Sequence, residues 1–169
     1  MSESIDTKVL ESDLDKFTET GRWKSLKSRF RREKKIVILV DGPNLLRKVG
    51  KRSVKIEDVD EIASKLGSTI ERYIFLNDQA SDKLIQAMVN SGYNPIVVRG
   101  DIYISMGMKT MEIAHRNNCD LFLYGSRDAR LGPMLMKLRE KNFETAIVGF
   151  DPGFSVLLQN QSDYVFQLN

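Results

Sequence analysis

The chain has 169 residues, 41% of them hydrophobic and 29% charged, with a formal net charge of +3 at pH 7. This length and mixture are typical of one soluble globular domain with an appendage, and no apolar stretch approaches the roughly 20 residues that cross a bilayer. The start of the chain lacks the features of a signal peptide, so we expect a cytoplasmic protein without membrane association. One cysteine and one histidine exclude an intramolecular disulfide, a thiolate metal cluster and a histidine-rich zinc site.

Residues 1–34 are predicted to form an arm that is acidic at first, then basic, and partly helical or disordered. The basic run leads into the first strand and includes Arg29, Arg31 and Arg32. Such a run can neutralise phosphates and release counterions. The alternative is a solvated arm that only keeps the protein soluble. Trp23 and Phe30 share one helical face, and they either pack on the domain or stack on bases.

From Lys35 onward, short apolar runs alternate with helical patterns. Strands are predicted near Ile36–Val40, Ile70–Leu76, Pro95–Val98, Leu121–Tyr124, Ala146–Val148 and Tyr164–Gln167. Helices are predicted over Ile56–Leu66 and Ala80–Ser91, over about Met106–Asn117, and from near Pro133. This alternation predicts an α/β fold with a parallel sheet.

Three aspartates follow predicted strands, at the point where each strand ends. They are Asp41, Asp101 and Asp128. Because parallel strands bring their carboxyl ends to one edge of a sheet, we expect these side chains to share a site. Converging carboxylates suit phosphodiester hydrolysis assisted by divalent ions, since Mg²⁺ prefers hard oxygen ligands. Helix capping or turn formation is the alternative role for Asp41 and Asp128, and Asn44 would hold a water, a phosphate oxygen or the turn backbone.

Other nucleotide and acyl-transfer chemistries lack their motifs. No G-x-G-x-x-G or Walker loop follows the first strand, and Pro43 stands where a phosphate-cradling loop needs backbone N–H groups. We therefore expect no dinucleotide cofactor. A G-x-S-x-G elbow is absent as well, and His115 is the one histidine available as a base.

Five segments in order carry a resemblance to a known family. They are Val40–Leu46 (VDGPNLL), Leu76–Leu84 (LNDQASDKL), Gly100–Ile104 (GDIYI), Ser126–Arg130 (SRDAR) and Asp151–Ser155 (DPGFS). Together they resemble the NYN domain, a PIN-like ribonuclease fold, over about residues 35–169, and more closely the archaeal branch of the LabA/DUF88 group. The resemblance implies a Rossmann-like three-layer α/β/α sandwich that cuts RNA with Mg²⁺ or Mn²⁺. PIN-like domains often pair, so a homodimer is an expectation of the same kind.

The resemblance also assigns roles to residues. Asp41 matches the family's first acid, Asn44 its asparagine, and Asp101 and Asp128 the leading acids of two further patterns. These four are the implied catalytic residues, with Asp41 and Asp128 as the implied metal ligands. Three positions depart from the pattern, because Tyr103, Lys109 and Arg130 stand where acids are expected.

The departures leave two hypotheses open. The first is a metal-dependent ribonuclease with a weakened or altered site, in which Lys109 or Arg130 replaces one cation at the transition state. The second is a noncatalytic RNA-binding module, in which Lys109, Arg127, Arg130 and the basic arm hold phosphates. A third, structural interpretation is that Lys109 and Arg130 only pair with Asp101 and Asp128.

Overall fold

The computed structural model describes residues 32–46, 48 and 54–168. The predictions for Arg29 and Arg31, and those for Trp23 and Phe30, lie outside the described residues. Among the helices that are described, none combines the length and the apolar character of a membrane span.

Elements are numbered along the described part of the chain. The strands are β1 Lys35–Asp41, β2 Ser68–Asn77, β3 Asn94–Val98, β4 Leu121–Gly125, β5 Glu144–Gly149 and β6 Tyr164–Gln167. The helices are α1 Gly42–Leu45, α2 Ile56–Leu66, α3 Asp82–Asn90, α4 Ile102–Arg116, α5 Gly132–Glu140 and α6 Val156–Gln161, and a 3-10 turn spans Ala129–Leu131.

The strands form one sheet in the order β3-β2-β1-β4-β5-β6, and every neighbouring pair is parallel. This confirms the predicted α/β fold. The chain builds the sheet outward from β1 to β3 and then returns to place β4 on the other side of β1. The order therefore reverses between β1 and β4, and in open α/β sheets ligands bind in the crevice at such a reversal.

Helices cover both faces of the sheet, which gives three layers. Within β1, Val37 and Leu39 point into one core, and Ile36, Ile38 and Val40 point into the other. The first core is completed by α4, α5 and α6, the second by α2 and α3. Because both faces are buried, β1 and β4 are apolar almost throughout instead of alternating with polar residues.

Helix α4 begins four residues earlier than the predicted Met106. Its N-cap is Asp101, whose carboxylate accepts hydrogen bonds from the N–H groups of Tyr103 and Ile104 at 2.7 and 3.3 Å. An N-cap aspartate satisfies backbone donors that have no partner within the helix. The capping role therefore extends the helix to the edge of the sheet and brings Tyr103 with it.

Candidate functional site

A cavity of about 520 Å³ lies at the carboxyl edge of the sheet, where the strand order reverses. It is lined by Asp41, Asn44, Asp101, Tyr103, Arg127, Asp128 and Arg130, among others. The structure thus brings the three predicted aspartates together. Three carboxyl and two guanidinium groups leave the lining with a formal charge of −1. We call this cavity the acidic-edge pocket.

Asp41 is the buried centre of the pocket, with 1% of its surface exposed. As the last residue of β1 it has the same parity as Leu39, so its side chain points toward the α4 face. Its carboxylate accepts hydrogen bonds from the Tyr103 hydroxyl at 2.5 Å, the Ser126 hydroxyl at 3.3 Å and the Asn44 N–H at 3.3 Å. Burial raises the pKa of Asp41, and the hydrogen bond from Tyr103 is the strongest influence against that rise.

The positive role of Tyr103 was not predicted from the sequence, where this residue counted only as a missing acid. The side chain stands in the first turn of α4 and is half-buried. Burial and the hydrogen bond to Asp41 both raise the pKa of its hydroxyl, so the hydroxyl stays protonated and donates. The sequence did contain a signal for this contact, because Tyr103 follows the capping Asp101 by two residues and so lies in the first turn of α4.

Asp128 is held by Arg130. The guanidinium donates through Nε and Nη2 to the two carboxylate oxygens, at 3.0 and 2.8 Å, and the Arg130 N–H donates to the same group at 2.9 Å. These hydrogen bonds hold the pKa of Asp128 below its usual value. The Arg130 guanidinium also lies over the Tyr103 ring, 4.1 Å from its centre. Of the predicted pairings between cations and pocket acids, this one is present.

Asn44 and Arg127 connect the loops around the pocket. The Asn44 side-chain oxygen accepts the Arg127 N–H at 2.8 Å. In return the Arg127 guanidinium donates to the Asn44 carbonyl at 3.2 Å and to the Pro152 carbonyl at 2.6 Å, and it lies 4.1 Å from the centre of the Phe150 ring. The Asn44 side chain therefore holds the backbone of the loop that follows β4, and not the backbone of its own turn. Arg127 lines the pocket, and its two Nη groups donate to this loop contact, whereas its buried Nε has no hydrogen-bond partner among the described residues.

Lys109 lies away from the pocket, contrary to the prediction. Its ammonium group is 3.0 Å from a Glu112 carboxylate oxygen and 5.0 Å from the centre of the Tyr73 ring. The reason is the early start of α4, because Lys109 is the seventh residue after Ile102 and so lies about two turns from the edge of the sheet. Arg32, the first described residue, is exposed.

The described residues hold no group of three or more histidine, cysteine, aspartate or glutamate side chains arranged to bind a metal ion. The predicted ligands Asp41 and Asp128 are instead occupied by protein donors. Their carboxylate oxygens accept hydrogen bonds from Tyr103, Ser126 and Arg130.

A second basic run was also overlooked. Four cations, Arg47, Lys48, Lys51 and Arg52, lie within six residues shortly after Asn44. Apart from Lys48, which is exposed, this run lies outside the described residues. Its charge density was visible in the sequence.

Comparison with known proteins places this architecture in a family. The NYN domain family matches residues 35–169. An uncharacterized protein of Methanocaldococcus jannaschii is 35% identical over 161 residues, which cover 95% of this chain and 64% of that protein. The chain thus spans less than two thirds of the relative. A protein of unknown function from Vibrio parahaemolyticus has the same fold, with a TM-score of 0.71 and 16% identity over 82% of this chain and 95% of that one. From Lys35 to its end, this chain belongs to the NYN domain family.

Proposed function

We propose that this domain binds single-stranded RNA at the acidic-edge pocket and has lost metal-dependent cleavage. One chain of contacts carries the proposal. The Arg130 guanidinium lies over the Tyr103 ring, and the Tyr103 hydroxyl donates to Asp41. Arg130 also donates hydrogen bonds to Asp128. A pocket built for two divalent ions presents free carboxylate oxygens. This pocket presents a guanidinium and a tyrosine.

The donor set does not fit a resident Mg²⁺ or Mn²⁺ ion. Such ions need several carboxylate oxygens with room for the remaining water shell. Here Asp41 is buried beneath Tyr103, Asp128 is bonded on both oxygens by Arg130, and Asp101 caps α4. A divalent ion would have to displace Arg130 and share the pocket with its positive charge.

Three features support RNA as the ligand. The family is built on a nuclease-type fold, and the pocket lies at the crevice where such sheets bind ligands. Arg130 keeps 62% of its side chain exposed, so its guanidinium can turn from Asp128 to a phosphate. The basic runs before β1 and after α1 add sequence-independent attraction for a phosphate backbone.

The binding test compares two exposed arginines that each pair with an aspartate. Arg130→Glu reverses a charge in the pocket, and Arg139→Glu does the same on α5, where Arg139 lies 3.8 Å from Asp163. With a fluorescent ten-nucleotide RNA in EDTA, we expect Arg130→Glu to weaken binding about tenfold and Arg139→Glu to weaken it less than twofold. Equal effects of the two variants, or no binding by the wild type at low salt, would overturn the proposal.

The metal-dependent ribonuclease remains the second candidate, because Asp41, Asp101 and Asp128 do share one pocket. Its test is cleavage of the same RNA across Mg²⁺ and Mn²⁺ titrations. The variant Tyr103→Asp/Arg130→Asp changes the formal charge of the lining from −1 to −4 and serves as the comparison. We expect no cleavage by the wild type and measurable Mn²⁺ binding by the double variant. Cleavage by the wild type that disappears with EDTA and with Asp41→Asn would establish the nuclease instead.

A further inference from the structure

A second cavity adjoins the acidic-edge pocket on the opposite side of α1. Its volume is about 410 Å³, and Pro43 lines both cavities. Its apolar walls include Pro43, Leu46, Leu76 and Leu84. We call it the amide groove, because the side chains of Asn77 and Gln79 lie along it and are exposed.

The chemistry of the amide groove differs from that of the pocket. Within the described part of the chain no charged side chain lines it, whereas five charged side chains line the pocket. The Ser81 hydroxyl is already used, since it caps α3 by accepting the Leu84 N–H at 3.2 Å. The amides of Asn77 and Gln79 are therefore the groups available to a ligand, and the Gln79 amide donates a long hydrogen bond of 3.4 Å to Asp78.

A flat, uncharged group with hydrogen-bonding edges suits these surroundings. Unpaired RNA bases are recognised by stacking on flat or apolar side chains and by hydrogen bonds to their edges. Asparagine and glutamine side chains can pair with the edge of adenine through two hydrogen bonds. Among the described residues that line the groove there is no cation for a phosphate, so the charged backbone is favoured on the pocket side of Pro43.

We propose that the amide groove holds an unpaired base of the same RNA strand whose neighbouring nucleotide occupies the acidic-edge pocket. This inference rests on the proposed function. Pro43 separates the two sites and provides a ridge over which the strand passes. The base in the groove lies between the apolar walls, and the amides of Asn77 and Gln79 contact its edge. The pair of sites thus selects single-stranded RNA, because a paired base cannot turn out of its helix into the groove without breaking its pair.

The test measures how much a base contributes to affinity. Two fluorescent ten-nucleotide probes are used, an adenine-containing RNA and an abasic strand of equal length and charge. For the wild type we expect the RNA to bind about tenfold more tightly than the abasic strand, as one bidentate base contact would give. In Asn77→Ala/Gln79→Ala that ratio should fall to threefold or less, while affinity for the abasic strand is unchanged.

The matched control is Gln86→Ala/Asn90→Ala, which removes two exposed amides from α3 outside the groove. It should keep the wild-type ratio, and thermal unfolding checks that both double variants fold. An unchanged ratio in the groove variant, with RNA still bound and still sensitive to Arg130→Glu, overturns the groove assignment alone. The groove assignment is also overturned if the wild type binds the abasic strand as tightly as the RNA. If the wild type binds neither probe, both the groove and the proposed function fail.

Discussion

At the scale of single residues, the pocket depends on how Asp41 is satisfied. Its carboxylate is almost fully out of water, where a charge is costly unless donors surround it. Three protein donors face it, and the shortest hydrogen bond, 2.5 Å, comes from Tyr103. The Tyr103 hydroxyl therefore stabilises the buried Asp41 carboxylate. Tyr103 and Asp41 form one unit, and a change in either alters the other.

Tyr103→Phe tests this unit, because phenylalanine keeps the ring under Arg130 and removes only the hydroxyl. We expect a decrease of about 1–3 kcal/mol in the free energy of unfolding near neutral pH, the cost of a buried acceptor without its donor. The pKa of Asp41 should rise further, because the hydrogen bond from Tyr103 is the strongest influence holding it down. Urea unfolding of both proteins measures the decrease.

The decrease in the free energy of unfolding of Tyr103→Phe should depend on pH, because the pKa of Asp41 is shifted upward by burial. The pKa of Asp41 is raised in the folded state, so its contribution to stability is fully present below the unfolded pKa and declines as pH rises through the folded value. The decline should be larger in Tyr103→Phe, since the ionised carboxylate is the form that needs the donor. Asp41→Asn/Tyr103→Phe cannot ionise at position 41 and should lack this decline. A constant difference between Tyr103→Phe and wild type from pH 4 to 8 would argue against the coupling.

At the scale of elements, the sequence predicted the longer segments, apart from the start of α4, and missed the shortest helices. Helix α2 has the predicted bounds, because its apolar residues repeat along one face over eleven positions. Helices α1 and α6, with four and six residues, were not predicted. They are too short to show a periodicity, and tertiary contacts hold them in place.

The part of the site that could be predicted is the part that the ends of the strands position. Strand ends follow from hydrophobic runs, so the convergence of Asp41, Asp101 and Asp128 could be predicted from the topology. Which partner engages each carboxylate could not, because a side-chain contact depends on where a helix begins. Lys109 is the example: because α4 begins at Ile102, Lys109 lies about two turns along the helix and pairs there with Glu112.

Replacing glycine by alanine should change stability in opposite directions at two helical positions, Gly42 in α1 and Gly107 in α4. A Cβ atom on Gly42 would lie 2.6 Å from Leu76 Cδ2 and 2.8 Å from the Phe75 carbonyl oxygen, so Gly42→Ala should destabilise the domain by about 1–3 kcal/mol. On Gly107, inside α4, the nearest atom would be Met134 Cε at 3.8 Å. Gly107→Ala should therefore stabilise by about 0.5–1 kcal/mol. Urea midpoints with unchanged slopes measure both, and a stable Gly42→Ala would refute the tight packing of α1.

At the scale of the whole molecule, the net charge of the chain is opposite in sign to the formal charge of the acidic-edge pocket. The chain carries +3, but the acidic-edge pocket carries −1. The excess of cations is concentrated in two runs that flank β1 and α1 in the sequence, before residue 36 and between residues 47 and 52. We infer that these runs supply general attraction for a phosphate backbone and that the pocket supplies the local contacts.

The arm gives the last prediction, and the structure fixes where it can be cut. Lys34 is 2.5 Å from Glu144 and the Lys35 N–H donates to Asp120, so both residues belong to the folded unit Lys34–Asn169. Deleting residues 1–31 removes the basic run up to Arg31 and leaves these interactions intact. Binding of the ten-nucleotide RNA should weaken at 50 mM salt and approach the wild-type affinity near 300 mM. The slope of log K against log salt should flatten by about 0.7 for each phosphate that the arm neutralises in the wild type.

Deleting residues 1–20 is the control, because this stretch leans acidic and its removal spares every cation between residues 21 and 35. Its slope should equal that of the wild type, with equal or tighter binding, since like charges that repel the RNA are removed. Parallel slopes for all three proteins would mean that the arm only keeps the protein soluble. A flattened slope for the longer deletion alone would assign the attraction to the basic run and leave the remaining slope to the pocket and to residues 47–52.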